Sequence, residues 1–334
     1  MAQRRGFSST SGEPPEEGPA GAHTFKLEDP AYVPRWTSGR ECWVFHAERP
    51  EQLCGYHPHL IGSALVPGEP LQYLLYSPVF DAKDGPFHAG GTPGSHAVAI
   101  TPRQLLVSRD PHADTPPRSV LRIDLGAVWC LEIGRALALG WFVVRFPGPQ
   151  GAGSCPVLFG GQGMDHFRAV VRVYRRLGPV ERVAAEAGLD WPEVWDGVPA
   201  YLRAELEPLI EEGERPLTVL RSPERWTTEK RLWRSRPLCA SAAGLLVATS
   251  RGLLWAASEP RLRPGGLSFG VNLTVVRTGR VQDAVIGTRG TVGVLRLQAG
   301  DGLHPHDLEV PFAAEDVRSA EEIVRLTRAW RGQV

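Results

Sequence analysis

Two stretches decide the fold of this chain: Val98 to Pro111, VAITPRQLLVSRDP, and Val247 to Pro260, VATSRGLLWAASEP. Thr101 and Arg103 of the first recur as Thr249 and Arg251, and Leu105-Leu106 recurs as Leu253-Leu254, at 253 − 105 = 148 residues. Upstream, GEPLQYLLYSP (Gly68 to Pro78) faces GERPLTVLRSP (Gly213 to Pro223) at 145, and downstream Val157-Leu158-Phe159 faces Val310-Pro311-Phe312 at 153. Between these, Ile123-Asp124-Leu125 is set against Val271-Asn272-Leu273 at 148. A slowly drifting offset is what loop insertions produce in a duplicated unit, so the chain reads as one module written twice.

Each copy reads as short β segments followed by a helix. In the first copy the segments are Leu71 to Tyr76, Ala97 to Thr101, Leu105 to Ser108, Ser119 to Leu125, Val128 to Ile133, Gly140 to Phe146 and Val157 to Phe159, separated by Gly- and Pro-rich turns. The helix follows from Phe167, Val170, Val171, Tyr174 and Leu177, which share one face at a 3.6-residue period, and Ala320, Ile323, Val324, Thr327 and Trp330 repeat that face in the second copy.

This order of elements is similar to the pleckstrin-homology-like (PH-like) superfold, and particularly to bacterial PH-like domains. Their signature resembles "ATxRRLL", then "I.L..V..V", then "LxVPF" and a helix, and the corresponding stretches here are Val247 to Leu254, Val271 to Val276, and Leu308 to Phe312. The resemblance implies a mainly β (α+β) chain of two bent β-barrels, each closed by a C-terminal helix and joined by a short helical linker. The expected organisation is a disordered tail at 1–30, an extended arm at 31–67 packed on the first module, PH-like modules at 68–178 and 213–331, and an acidic helical linker at 179–212. Arg103 and Arg251 fall in the turn between the second and third strands, where turn geometry and solvation account for them.

The chain of 334 residues carries 37 basic and 37 acidic side chains, so no global field steers it toward nucleic acid or anionic membrane. The N-terminus lacks an apolar leader region and no apolar run nears 18 residues, which places the expected protein in the cytoplasm without a transmembrane segment. Five cysteines without a CxxC pair argue for thiols rather than a disulfide framework. Trp129, Trp141, Trp233, Trp255 and Trp330 are expected in the core or between modules. The sequon at Asn272 is discounted because it falls in a predicted strand of a cytoplasmic chain.

In the linker, VERVAAEAGLDWPEVW resembles the opening of a helix-turn-helix, but nine carboxylates against Arg182 and Arg203 leave 179–212 at 2 − 9 = −7, which would repel phosphates. No nucleic acid is therefore expected as partner. His57, His59, His304 and His306, with Cys54 and Asp307 beside them, have metal-ligand chemistry, but each group alone is too small, so His-Pro-His is read as a loop of solvated imidazoles and no metal or other cofactor is assigned. No GxSxG, HExxH or Walker A pattern supplies a catalytic centre.

The one locally basic stretch is Arg221 to Arg236, with six basic residues against Glu224 and Glu229 for 6 − 2 = +4. In PH-like domains the loop between the first two strands commonly holds anion-binding residues, so the resemblance makes Lys230, Arg231, Arg234 and Arg236 the ligand candidates; the first module offers only Lys83 there. The functional expectation is a non-catalytic cytoplasmic scaffold for protein–protein assembly, with a protein partner or a second copy bound. Peripheral binding of anionic lipid or a phosphorylated ligand through the second module, and a metal-dependent enzyme built on the His-Pro-His loops, stand as alternatives.

Overall fold

The computed structural model describes residues 22–26, 33, 40–79, 94–111, 118–148, 151–178, 188–231, 234–258, 270–289, 292–300 and 306–331. Residues 1–21 and 27–30 of the expected tail, Lys83, the 180–187 part of the helix-turn-helix resemblance, Trp233 and His304 lie outside them.

The first copy runs through helix α1 (His57–Ala64), strands β3 (Tyr73–Ser77), β4 (Gly94–Ile100), β5 (Gln104–Pro111) and β6 (Ser119–Asp124), strands β7 (Cys130–Ala136), β8 (Leu139–Gly148) and β9 (Gly151–Gly160), and helix α2 (Met164–Arg176). Two short strands, β1 (Ala22–Lys26) and β2 (Phe45–His46), precede it. The second copy runs through helices α3 (Trp191–Trp195) and α4 (Ala200–Leu206), strand β10 (Pro216–Ser222), an inserted hairpin of β11 (Arg225–Arg231) and β12 (Arg234–Ser241), strands β13 (Gly244–Thr249), β14 (Gly252–Ser258) and β15 (Gly270–Arg277), strands β16 (Val281–Arg289), β17 (Val292–Ala299) and β18 (His306–Phe312), and helix α5 (Val317–Arg331).

All pairing is antiparallel, in a six-stranded sheet β1-β6-β5-β4-β3-β2, a seven-stranded sheet β10-β13-β14-β15-β7-β8-β9, the β11-β12 hairpin and the sheet β16-β17-β18. The chain is mainly β, and among the described residues no sheet closes on itself. The two expected barrels joined only by a linker are not what the strands form. β15 of the second copy pairs with β7 of the first, from Gly270 opposite Ala136 to Val275 opposite Leu131, so the copies share one sheet.

The repeated strands are apolar at nearly every position because both faces are covered, which removes the usual alternation. Leu75, Val98, Leu105 and Ile123 face the main core, while Leu74, Ala97, Leu106 and Val120 on the other pleat phase face α1. In the second copy Val247, Leu254 and Leu273 belong to the main core, together with Leu202 and Leu206 of α4, and Leu246, Leu253 and Val276 face a second core with Trp330 of α5. Trp129, Trp141, Trp255 and Trp330 are all buried, as expected.

Strand register corrects the repeat alignment. Gln104 pairs with Asp124 and its counterpart Gly252 pairs with Arg277, so from this strand onward the offset is 277 − 124 = 153. Ile123 therefore corresponds to Val276 and not to Val271; the extra residues lie between β14 and β15 rather than after β15.

The stretch expected as an extended arm carries α1, and helix α4 of the expected linker has the same place: α1 packs on β5 and β6, α4 on their counterparts β14 and β15. Gly68 and Gly213, which follow these helices, both sit at positive φ, 81° and 74°, where glycine is the least strained residue. Part of the expected disordered tail is strand β1, paired with β6. No described helix is long and apolar enough to cross a membrane.

Candidate functional site

The candidate site is a groove between a strand edge and a helix that each copy forms once. In the first copy the walls are β7 and α2, and the groove is filled. β15 pairs along β7, α4 packs beside it, and Leu131, Ile133 and Val171 are left with no exposed surface. Trp141 Nε1 donates to Asn272 Oδ1 at 3.0 Å across the joined strands, so the side chain of the discounted sequon is engaged internally.

Charge fixes the filling in place. Arg175 of α2 donates to Glu214 Oε1 and to the Leu209 carbonyl, and both charged groups are buried, at 2 % and 0 % side-chain exposure. Glu214 also accepts the Glu211 amide at 3.0 Å. Arg135 of β7 donates to Glu205 of α4 at 2.6 Å, and Arg168 of α2 donates to the same carboxylate. Arg277 reaches back from β15 to the Tyr174 carbonyl and lies 3.7 Å over the Tyr174 ring. Of the acidic residues of 179–212, Glu205 thus serves the junction with the first copy, whereas Arg221 at the base of the basic stretch donates to the Glu193 and Asp196 carbonyls.

In the second copy the same groove is open. Ala284, Val285 and Ile286 of β16 and Glu321, Val324, Arg325 and Arg328 of α5 line a space of about 480 Å³. At the 153-residue offset, Val285 corresponds to Glu132, Ile286 to Ile133, Val324 to Val171 and Arg328 to Arg175. Val285 is 52 % exposed, and among the described residues β16 pairs only with β17. An edge strand beside an apolar groove offers unpaired backbone groups and apolar surface together, the combination that recruits another strand.

A second cluster joins the copies on the other side of β7. The ligand atoms of Cys130, Glu132 and His306 lie within 4.8 Å of one another. Arg145 Nε donates to Glu132 Oε1 at 2.8 Å, and His306 Nε2 stands 3.4 Å from that oxygen. Burial pushes the Cys130 thiol far above its usual range, with the Glu132 carboxylate adding to the rise and Arg145 opposing it. Burial also holds His306 below its usual value, against the pull of Glu132. Thiol, carboxylate and neutral imidazole are a donor set that a zinc-like cation accepts. Such an ion would have to displace a thiol proton and compete with the Arg145 guanidinium for Glu132.

The other candidates from the sequence do not come together. His57 lies in α1, not in a solvated loop; it is fully buried, with Nδ1 2.7 Å from Ser108 Oγ and Nε2 2.9 Å from Ser95 Oγ. Burial lowers its pKa to about 3, with His96 adding to the effect. His59 shares α1 and is half-buried, and His306 lies in strand β18 rather than a loop. The basic stretch read as a loop is the β11–β12 hairpin, in which Arg231 stands opposite Arg234, Lys230 opposite Ser235 and Glu229 opposite Arg236.

Sequence reasoning missed β16, Cys130 and Glu132. The C-x-E spacing of Cys130 and Glu132 is a legible same-face pair on a strand, but their meeting with His306 depends on how two sheets approach, which no local pattern encodes. The sequence matches no known family model and no curated protein, so the site is read from its own geometry.

Proposed function

We propose that this chain is a non-catalytic cytoplasmic scaffold of two PH-like modules, and that its second module docks a protein strand in the groove between β16 and α5. The PH-like reading is supported by the order of each copy: four meandering strands, three more, then a helix. The docking reading is carried by one observation: the equivalent groove of the first copy is already filled by a strand, β15. The His57–Ser95–Ser108 constellation is buried away from any substrate, which favours binding over catalysis.

The test is affinity purification from the native host with wild type and Val285→Lys side by side. A stoichiometric protein, or further copies of the chain, recovered with wild type and lost with the variant is the expected result. Equal recovery in both, or none in either, removes docking at this groove.

A second reading is anion binding through the hairpin, favoured by a register that sets Arg231 opposite Arg234, with Arg236 two residues further along β12. It is tested separately below.

A further inference from the structure

We propose that the open groove of the second module takes the first module of another copy of this chain, so that chains join head to tail by repeating between molecules the junction each makes within itself. The inference rests on the scaffold reading and names its partner.

The internal junction has a donor side, β15 with α4 and Glu214, and an acceptor side, β7 with α2 and Arg175. The chain carries a second set of both. β16, α5 and Arg328 are the second acceptor, and it stands open. The second donor is β6, equivalent to β15 by the pairing of Asp124 and Arg277 with matched residues, together with α1 and Glu69, which follows Gly68 as Glu214 follows Gly213.

The buried ion pair of the junction has matched counterparts on both sides. The counterparts of the buried ion pair Arg175–Glu214 are Arg328 and Glu69, again a cation and a carboxylate. Glu69 now accepts from Thr101 Oγ1 at 2.6 Å, the Arg103 amide at 2.9 Å and Gln104 Nε2 at 3.2 Å, and a carboxylate has acceptor capacity for a further bidentate or single guanidinium contact. The other junction network, Arg135–Glu205–Arg168, has Thr288, Leu60 and Glu321 in its places, so the donor loses its carboxylate, the acceptor loses both cations, and an exposed carboxylate, Glu321, stands on the acceptor wall instead. Carrying the β15–β7 register across puts Val120 opposite Ile286 and Leu121 opposite Val285, apolar against apolar, on the same antiparallel ladder.

One element stands in the way, and it is short. On β6, strand β1 occupies the edge that β7 occupies on β15, with Thr24 opposite Leu121 and His23 opposite Arg122. Its five residues form a strap that must leave before β6 can enter a neighbour's groove. Head-to-tail contact of this kind extends until a ring forms, the smallest being a reciprocal dimer, or until growth stops.

Sedimentation velocity of the full chain over a concentration range tests this directly. Wild type is expected to show dimers or larger species that grow with concentration, Thr24→Pro to shift the population toward them by weakening the strap, and Val285→Lys to reduce association at least about tenfold in either background. Arg328→Glu, at an exposed position, gives a second variant that leaves the core untouched. Mixing a Leu121→Cys chain with a Val285→Cys chain is expected to give a disulfide between the two variants under oxidation. Wild type and Thr24→Pro that both stay monomeric to about 0.5 mM, or a dimer indifferent to Val285→Lys, would overturn the proposal. A different protein held by wild type and lost with Val285→Lys, on a chain that stays monomeric, overturns this inference while leaving the scaffold reading intact.

Discussion

Arg175→Met is the most demanding perturbation of the junction. Arg175 and Glu214 are buried at 2 % and 0 % side-chain exposure, and the guanidinium serves both the carboxylate and the Leu209 carbonyl. Removing it leaves a charge in the core with, among the described residues, only the Glu211 amide at 3.0 Å to hold it. Breaking a buried pair from one side costs about 3–5 kcal/mol. That is a large part of the roughly 5–15 kcal/mol that holds a domain folded. Replacing both partners, Arg175→Met with Glu214→Met, removes the stranded charge, so the double variant should be at least about 2 kcal/mol more stable than the single one. Urea unfolding followed by tryptophan fluorescence, with equal slopes required for comparison, measures both. A single variant that loses less than about 1 kcal/mol, or strict additivity in the pair, would show that these groups are solvated in solution and that the junction does not depend on them.

Further outcomes follow from other features. His57 is fully buried and its pKa lies near 3 rather than the usual 6.5; below pH 6.5 the unfolded chain binds a proton that the folded chain refuses, so stability should fall by about 1.4 kcal/mol per pH unit toward pH 3. His57→Gln should flatten that slope in denaturation at pH 7 and pH 5, and parallel curves would refute the assignment. The fragment Gly213 to Val334 should be insoluble beside a soluble full chain, because it bares the β15 edge with Val271, Leu273 and Val275; a soluble monomeric fragment would show the second copy to be self-sufficient. Changing Lys230, Arg231, Arg234 and Arg236 together to Ser should leave sedimentation with anionic vesicles unchanged, and a salt-sensitive loss would favour the anion reading. Purified chain should carry no stoichiometric metal, since Arg145 holds Glu132. A stoichiometric metal that disappears with His306→Ala would revive a metal-dependent role.

The repeat was legible because Thr101-x-Arg103 and Thr249-x-Arg251 fix a tight turn: Thr101 Oγ1 accepts the Gln104 amide and Thr249 Oγ1 accepts the Arg251 amide, each at 3.1 Å. The five-residue slip at Ile123 has a physical origin in the same strands. A strand buried on both faces carries no alternation, so its phase cannot be read from apolar pattern alone. Helix α1 was missed because His57-Pro58-His59 reads as a loop, whereas Pro58 stands in the first turn, where its lacking N–H costs nothing. The β15–β7 pairing and the open groove at β16 lay beyond reach for another reason. Which of two equivalent edges is covered depends on where the other copy sits, and the two edges differ in sequence only by substitutions such as Glu132 to Val285.

The shared sheet also sets a timetable for the chain as it leaves the ribosome. β7 is complete at Ala136, but its partner strand ends at Arg277, so about 140 residues must be added before that edge is covered. At the usual pace of synthesis that is roughly 7–30 s during which the backbone edge of β7 that β15 later covers stands unpaired. Over that interval β7 in the nascent chain presents the same apolar edge that β16 presents in the finished one. A growing chain is therefore open to a neighbour's β15 or β6 before its own arrives, and polysomes crowded with such chains are where misjoined products would accumulate first.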